Sequence, residues 1–128
     1  MNVALRSRLG GSFYSFYDQG FARVAACAVP VALADPETNA ATVIAAAREC
    51  GDQGVAIAVF PELCLTGYAI DDLLLQDPLL DAAREAVETV RAASEDLLPV
   101  VVVGVPLATG NRLYNLSLIH ISEPTRPY

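Results

Sequence analysis

The apolar positions of this chain follow two repeating patterns, one typical of strands and one typical of helices. Residues 21–29 (FARVAACAV) alternate bulky and small apolar side chains up to Pro30, which predicts a strand. Residues 55–60 (VAIAVF) and 100–105 (VVVVGV) are short apolar runs rich in β-branched residues. Such runs predict central parallel strands that are buried on both faces of a sheet.

Two segments with the spacing of amphipathic helices lie between these runs. The first begins at Asp35-Pro36, a cap residue followed by proline, and is predicted to reach about Cys50. The second begins at Asp77-Pro78, and we expect it to reach about Asp96. Their apolar faces recur at helical intervals: Ala40, Val43, Ile44 and Ala47 in the first, and Leu80, Ala83, Val87 and Val90 in the second.

A turn signal completes the predicted fold. Gly110-Asn111 separates residues 100–105 from residues 112–121, which predicts a hairpin. The predicted order is therefore β-α-β-α-β-β, a layered α/β fold. A length of 128 residues allows one domain with a core. The apolar runs fall well short of the roughly 18 to 20 residues that a membrane span needs.

The composition limits the partners and the kinds of catalytic or metal site that this polypeptide can have. The formal charge is -7, which argues against nucleic acid or an anionic membrane as a partner. All basic residues are arginine, so chemistry that needs a lysine cannot be completed by this polypeptide. Cys27, Cys50 and Cys64 form no CxxC pair, and His120 is the single histidine. We expect no metal site, and we expect the cysteines to be buried apolar residues in a reducing cytoplasm.

Glu62 is the strongest candidate for a catalytic residue. It lies two residues after Phe60, beyond the carboxyl end of a predicted strand, where α/β folds bind their ligands. A carboxylate beside Phe60, Leu63 and Tyr68 suits general-base work, because apolar surroundings raise a carboxyl pKa. The alternative is a solvated loop glutamate or a helix cap. Asp71-Asp72 is more typical of a helix start than of a metal pair.

A resemblance sharpens this hypothesis. Residues 59–80 (VFPELCLTGYAIDDLLLQDPLL) resemble the first active-site motif of the nitrilase, or carbon-nitrogen hydrolase, superfamily. Within it, the ELxLTGY form followed by an acidic pair and DLLLQ is similar to the glutaminase domains of the glutamine-dependent NAD synthetase family. Residues 13–27, 35–43 and 97–115 resemble those domains in register.

The resemblance implies an αββα sandwich and a Glu-Lys-Cys triad. Glu62 matches the triad glutamate, the general base, and Tyr68 matches a tyrosine that lines the glutamine site. The family's lysine follows shortly beyond Asn115, and its nucleophilic cysteine lies farther on. In the family, ammonia passes to a separate synthetase domain that uses ATP and magnesium to amidate deamido-NAD. The resemblance further implies a homo-oligomeric parent protein, while the cysteine usage is the ground for expecting a cytoplasmic one.

The matched part of the chain implies a partial domain. We assign residues 13–115 to the first strands and helices of a nitrilase-type glutaminase domain, and residues 1–12 to an extension expected to be disordered. Residues 116–128 resemble a translated sequencing adapter, so His120 and Glu123 are set aside as site residues. With one triad member of three, this fragment is predicted to lack activity. Strands uncovered on one face predict aggregation or a partly molten state.

Two alternatives stay open. One is a fragment of a stand-alone nitrilase-type amidase, with the same glutamate and no synthetase partner. The other is a non-catalytic α/β binding module in which Glu62 caps a turn.

Overall fold

The computed structural model describes residues 16–120, in which two α-helices lie on a four-stranded sheet. The elements in chain order are β1 (Val24–Ala26), α1 (Pro36–Asp52), β2 (Ile57–Val59), a 3-10 helix (Asp71–Leu75), α2 (Asp77–Ser94), β3 (Val100–Thr109) and β4 (Arg112–His120). The predicted extension over residues 1–12 lies outside the described residues, as do residues 121–128.

The sheet follows the order of the chain, β1-β2-β3-β4. The first three strands are parallel, with Val24 opposite Ile57 and Ile57 opposite Val100. β3 and β4 form an antiparallel hairpin in which Thr109 pairs with Arg112 across the predicted turn. Gly110 takes a left-handed φ of 56° there, which glycine adopts without steric penalty. The predicted β-α-β-α-β-β order is therefore confirmed.

The two helix starts differ, although both carry Asp-Pro. At α1, Asp35 caps the helix: its carboxylate accepts hydrogen bonds from the Thr38 amide (3.1 Å) and hydroxyl (2.7 Å). These bonds lower the pKa of Asp35. At α2, Gln76 is the cap residue and provides no side-chain bond, while Asp77 is already helical. The predicted Asp77 cap is therefore wrong, and Asp77 instead places a negative charge in the first turn.

The first two strands are shorter than predicted, and the third is longer. β1 and β2 have three residues each, although the ladder continues through the Cys27 amide to the Val59 carbonyl and the Phe60 amide to the Val102 carbonyl. The Val55 amide instead bonds the Cys50 carbonyl at the end of α1, which keeps residue 55 out of the ladder. β3 reaches Thr109 because β4 pairs along its length.

The helices cover one face of the sheet, named here the covered face. Its core joins side chains of α1 and α2 to four strand residues: Ala58, Val101, Val103 and Val105. The strand residues that alternate with these point to the other face, named here the open face. Its apolar side chains have these exposed fractions: Val24 64%, Ile57 37%, Val59 43% and Ile119 62%. Within the described residues, β2 is buried on one face only, whereas the open face of β3 is half-buried at Val100 and Val102 and buried at Gly104. The partly uncovered second face agrees with the prediction of a half-sandwich.

The reason for the one-sided arrangement is handedness. Connections between parallel strands are right-handed. The β1-α1-β2 and β2-α2-β3 connections both move one strand in the same direction across the sheet, so both helices lie on the same side of it. The result is one helical layer on one sheet, half of the αββα arrangement that the resemblance implies. Among the described residues, no helix is both long enough and apolar enough to cross a membrane.

Candidate active site

Residues 61–67, named here the elbow, leave the end of β2 and fold into tight turns. Backbone bonds close these turns: Cys64 N to Pro61 O (3.2 Å), Thr66 N to Leu63 O (3.1 Å) and Gly67 N to Leu63 O (2.8 Å). Residues 63–67 are buried, whereas Glu62 is exposed. The elbow therefore packs its own backbone against the protein and presents the Glu62 carboxylate to solvent.

Gly104 of β3 is the first anchor of the elbow. Its carbonyl accepts the Leu65 amide at 3.3 Å and faces the Cys64 thiol at 3.7 Å. A Cβ at this position would lie 2.4 Å from the Leu63 nitrogen and 2.7 Å from the Pro61 oxygen, so only glycine permits the approach. The sequence held a signal for this contact, since a glycine inside a strand pattern marks a close backbone approach.

Asn39 of α1 is the second anchor. Its side chain is buried, and its Nδ2 donates to the carbonyls of Ala32 (2.8 Å) and Leu65 (3.0 Å). Its Oδ1 accepts the Ala32 amide at 2.8 Å. Asn39 thereby ties the loop before α1 to the elbow. Sequence reasoning missed it, because an asparagine in the first turn of a helix reads as a solvated polar residue.

The Glu62 carboxylate is held by Asn115 of β4. The Asn115 side-chain amide donates from Nδ2 to Glu62 Oε1 at 2.5 Å. Within residues 16–120, the carboxylate makes no other hydrogen bond, and Oε2 faces no donor there. Sequence reasoning missed the Asn115 contact as well, although the hairpin register places Asn115 opposite Pro106, beside Gly104.

The backbone beside Glu62 is strained. Leu63 has a φ of 51°, in the left-handed region that branched side chains rarely adopt. Such a conformation costs roughly 1–3 kcal/mol and persists where surrounding contacts enforce it. Here the bonds to Gly104 and within the elbow enforce it. The predicted apolar enclosure of Glu62 is not formed by the described residues, since Phe60 and Leu63 are buried away from solvent while Glu62 is exposed.

Tyr68, the other predicted site residue, follows the elbow directly. Its side chain is 72% exposed, and its hydroxyl makes no hydrogen bond within the described part of the chain. Glu62 and Tyr68 thus both project to solvent from the connection after β2, and within the described residues no hydrogen bond joins them. The predicted role of Tyr68 toward a substrate stays a prediction. Asp71 and Asp72 begin the 3-10 helix, as the sequence predicts.

The cysteines lie apart from Glu62. The Cys64 thiol is buried against the Gly104 carbonyl, and burial raises its pKa. Cys27 and Cys50 are half-buried and face each other, and burial together with Cys50 raises the pKa of Cys27 to about 11. In residues 16–120, no cluster of histidine, cysteine, aspartate and glutamate could hold a metal ion.

The chain is similar to known proteins in sequence. Residues 23–124 match the family model described as carbon-nitrogen hydrolase. Over 107 residues, or 84% of the chain, it is 55% identical to a protein of Mycobacterium leprae named glutamine-dependent NAD(+) synthetase. The match covers 16% of that protein, so the chain spans about one sixth of the length of such curated relatives.

Solved structures show the same likeness. A glutamine-dependent NAD(+) synthetase from Cytophaga hutchinsonii matches with a TM-score of 0.66 at 29% identity, over 77% of this chain and 17% of that one. An amidase from Nesterenkonia sp. matches with a TM-score of 0.60 at 23% identity, over 71% of this chain and 33% of that one. The second likeness extends to the fold alone.

Proposed function

The chain belongs to the carbon-nitrogen hydrolase family, and from this premise we propose that it is part of the glutamine-hydrolysing domain of a glutamine-dependent NAD synthetase. The observation that carries the proposal is the 55% identity to such a synthetase over 84% of the chain. The amidase likeness, at 23% identity, does not favour an amidase function over this one.

Glu62 is the general base of the proposed reaction. Its Oε1 is occupied by the Asn115 amide, while Oε2 is free to take the proton of a cysteine thiol as the sulfur attacks the glutamine amide carbon. The family's lysine stabilises the oxyanion that forms, and Glu62 passes the thiol proton to the amide nitrogen as the C–N bond breaks, so that ammonia leaves. Water then hydrolyses the thioester and releases glutamate. Tyr68, exposed beside the elbow, lines the glutamine site.

The remaining steps belong to the parent protein. Ammonia reaches a separate synthetase domain, where ATP and magnesium activate deamido-NAD and ammonia completes NAD. Family resemblance supports these steps and a homo-oligomeric parent, and the absence of a CxxC pair or even disulfide set among the cysteines supports a reducing cytoplasm. The residues of this chain have no part in binding ATP or magnesium in this scheme.

The 128-residue polypeptide by itself is expected to release no glutamate from glutamine. It contains no lysine, and in the described residues no thiol hydrogen-bonds the Glu62 carboxylate. A carboxylate without its nucleophile has no proton to take, so the rate should equal that of the Glu62→Ala variant. Glutamate release clearly above that variant would contradict this expectation.

The proposed function is tested in the complete reading frame that contains this chain. We expect NAD to form from deamido-NAD and ATP with either glutamine or ammonium as nitrogen donor. Hydrolysis of simple amides without NAD formation would replace the proposal with an amidase. Binding of a ligand without hydrolysis of any amide would favour a non-catalytic module.

A further inference from the structure

Two cysteines from different elements meet at the edge of the fold. Cys27 directly follows β1, and Cys50 lies in the last turns of α1. Their Sγ atoms are 3.7 Å apart, although the residues are separated by 23 positions in the chain. This is a pair of thiols brought together by the βαβ unit and not by sequence proximity.

The backbone on both sides of the pair is held in place. The Cys27 amide donates to the Val59 carbonyl at 2.8 Å, which fixes residue 27 beside β2. The Cys50 carbonyl accepts the amides of Gln53 (3.2 Å) and Val55 (2.9 Å), which fixes the end of α1. Because the backbone is held on both sides, the approach of the sulfurs from 3.7 Å to an S–S bond of about 2.05 Å has to come from side-chain rotation.

The third cysteine provides an internal contrast. Cys64 is buried in the core and its thiol faces the Gly104 carbonyl. Cys27 and Cys50 are both half-buried, so a small oxidant reaches them from solvent. Oxidation of a cysteine depends on its thiolate fraction and on its accessibility. The raised pKa of Cys27 slows its own attack on an oxidant, so the case for this pair rests on accessibility, which Cys64 lacks, and on the contact between the two sulfurs.

We propose that Cys27 and Cys50 form a reversible disulfide, an oxidation site that fastens β1 to the end of α1. With a peroxide as oxidant, one sulfur attacks the peroxide oxygen and becomes a sulfenic acid as the O–O bond breaks and one water leaves. The second sulfur then displaces the hydroxyl group, which leaves as a second water. Two thiols lose two electrons and two protons, and the peroxide is reduced to two waters.

The resting state of the pair is the dithiol. Because the pKa of Cys27 is raised to about 11, its thiol remains protonated near neutral pH. The pair therefore stays reduced until an oxidant is supplied. The disulfide would close the loop between residues 27 and 50, which contains α1 as far as residue 50. Dithiothreitol should reverse the bond by thiol-disulfide exchange.

The test is native oxidation of the 128-residue chain with hydrogen peroxide, followed by thiol counting in denaturant and peptide mapping. We expect the free thiols to fall from three to one and the monomer mass to fall by about 2 Da. Cleavage after arginine and glutamate should release residues 24–37 joined to residues 50–62, while residues 63–84 keep a free thiol. Dithiothreitol should restore all three thiols.

Single variants and a denatured control complete the design. Cys64→Ser should keep the disulfide, whereas Cys27→Ser and Cys50→Ser should abolish it. In urea, where the fold no longer selects the partners, the pairings should become mixed. The proposal would be overturned if the native chain kept all its thiols. It would also be overturned if Cys64 paired as often as Cys50, or if the product were mainly an intermolecular dimer.

Discussion

The covered face and the open face of the sheet are built from similar residues but meet different surroundings. Valines of odd number on β3 (Val101, Val103 and Val105) are fully buried beneath the helices. Val59 and Ile57 on the open face are about as apolar, yet both remain substantially exposed. Apolar character alone therefore does not determine which face is buried, because the direction of the crossovers does.

The open face is also the side from which the candidate site is built. Gly104 alternates with Val103 and Val105, so its missing side chain points away from the helices, and the elbow occupies that space. Asn115, opposite Pro106, reaches Glu62 on the same side. The open face thus supplies Gly104 and Asn115, while Asn39 of α1 anchors the elbow from the helical layer.

An aspartate substitution on each face should show the largest difference in stability between the two faces. Val103→Asp buries a carboxylate without a partner in the helix-covered core, so we expect loss of cooperative folding. Val59→Asp places the charge where the side chain is 43% exposed, so helicity should be kept and light scattering should fall. Circular dichroism and scattering of both variants check this. Equal disruption by both would contradict the difference between the faces.

Glycine substitutions test the approach of the elbow to β3. Gly104→Ala forces a Cβ against the elbow backbone and should lower the free energy of unfolding by about 2–4 kcal/mol. Gly51→Ala, inside α1, is the control. The added Cβ would lie 3.4 Å from the side chain of Leu98, which is an ordinary van der Waals contact. That change should be neutral or stabilise by about 0.5–1 kcal/mol. Urea titrations in the Val59→Asp background, which we expect to lower aggregation, provide the measurement.

Substitution of Asn39 and of Asn115 should affect stability differently, because Asn39 holds the fold whereas Asn115 holds the candidate catalytic residue. Asn39→Ala leaves the Ala32 and Leu65 groups without their partner in a buried place, for an expected loss of about 2–3 kcal/mol. Asn115→Ala removes a bond between exposed groups and should change stability by less than about 0.5 kcal/mol. A larger loss for Asn115 than for Asn39 would overturn this assignment.

The smallest expected effect distinguishes the two helix starts. Asp35→Ala removes the cap bonds to Thr38 and should lower Tm, whereas Asp77→Ala, which removes no cap bond, should lower it less. Since folding lowers the pKa of Asp35, its contribution is present above the ordinary aspartate range and disappears as pH falls through the lowered value. Thermal melts at neutral and acidic pH would show whether Asp35 behaves in this way.

Local patterns predicted the elements well. The helical spacing, the Asp35 cap and the Gly110-Asn111 turn are all set by residues close in sequence, and the order of strands and helices followed from them. The position of Glu62 at a strand end followed in the same way. The resemblance added the expected role of Glu62 and the family, and residues 23–124 match that family.

Long-range contacts were beyond local patterns. Asn39 bonds Leu65 across 26 positions and Asn115 bonds Glu62 across 53, and neither pairing has a periodic signature. The burial of one face depends on how crossovers turn, which alternation of apolar residues does not encode. The α2 start differed because the helix begins one residue earlier than the Asp-Pro pattern indicates.

The most direct test of the central claim is the Glu62→Gln variant in the complete reading frame. We expect glutamate release and glutamine-dependent NAD formation to fall by at least about 100-fold, since the amide cannot accept the thiol proton. NAD formation from ammonium should be unchanged, and the exposed helix variant Glu85→Gln should behave as the unmodified protein. Glutamine-dependent activity in Glu62→Gln equal to that of the Glu85→Gln control would contradict the assignment of Glu62 as the general base.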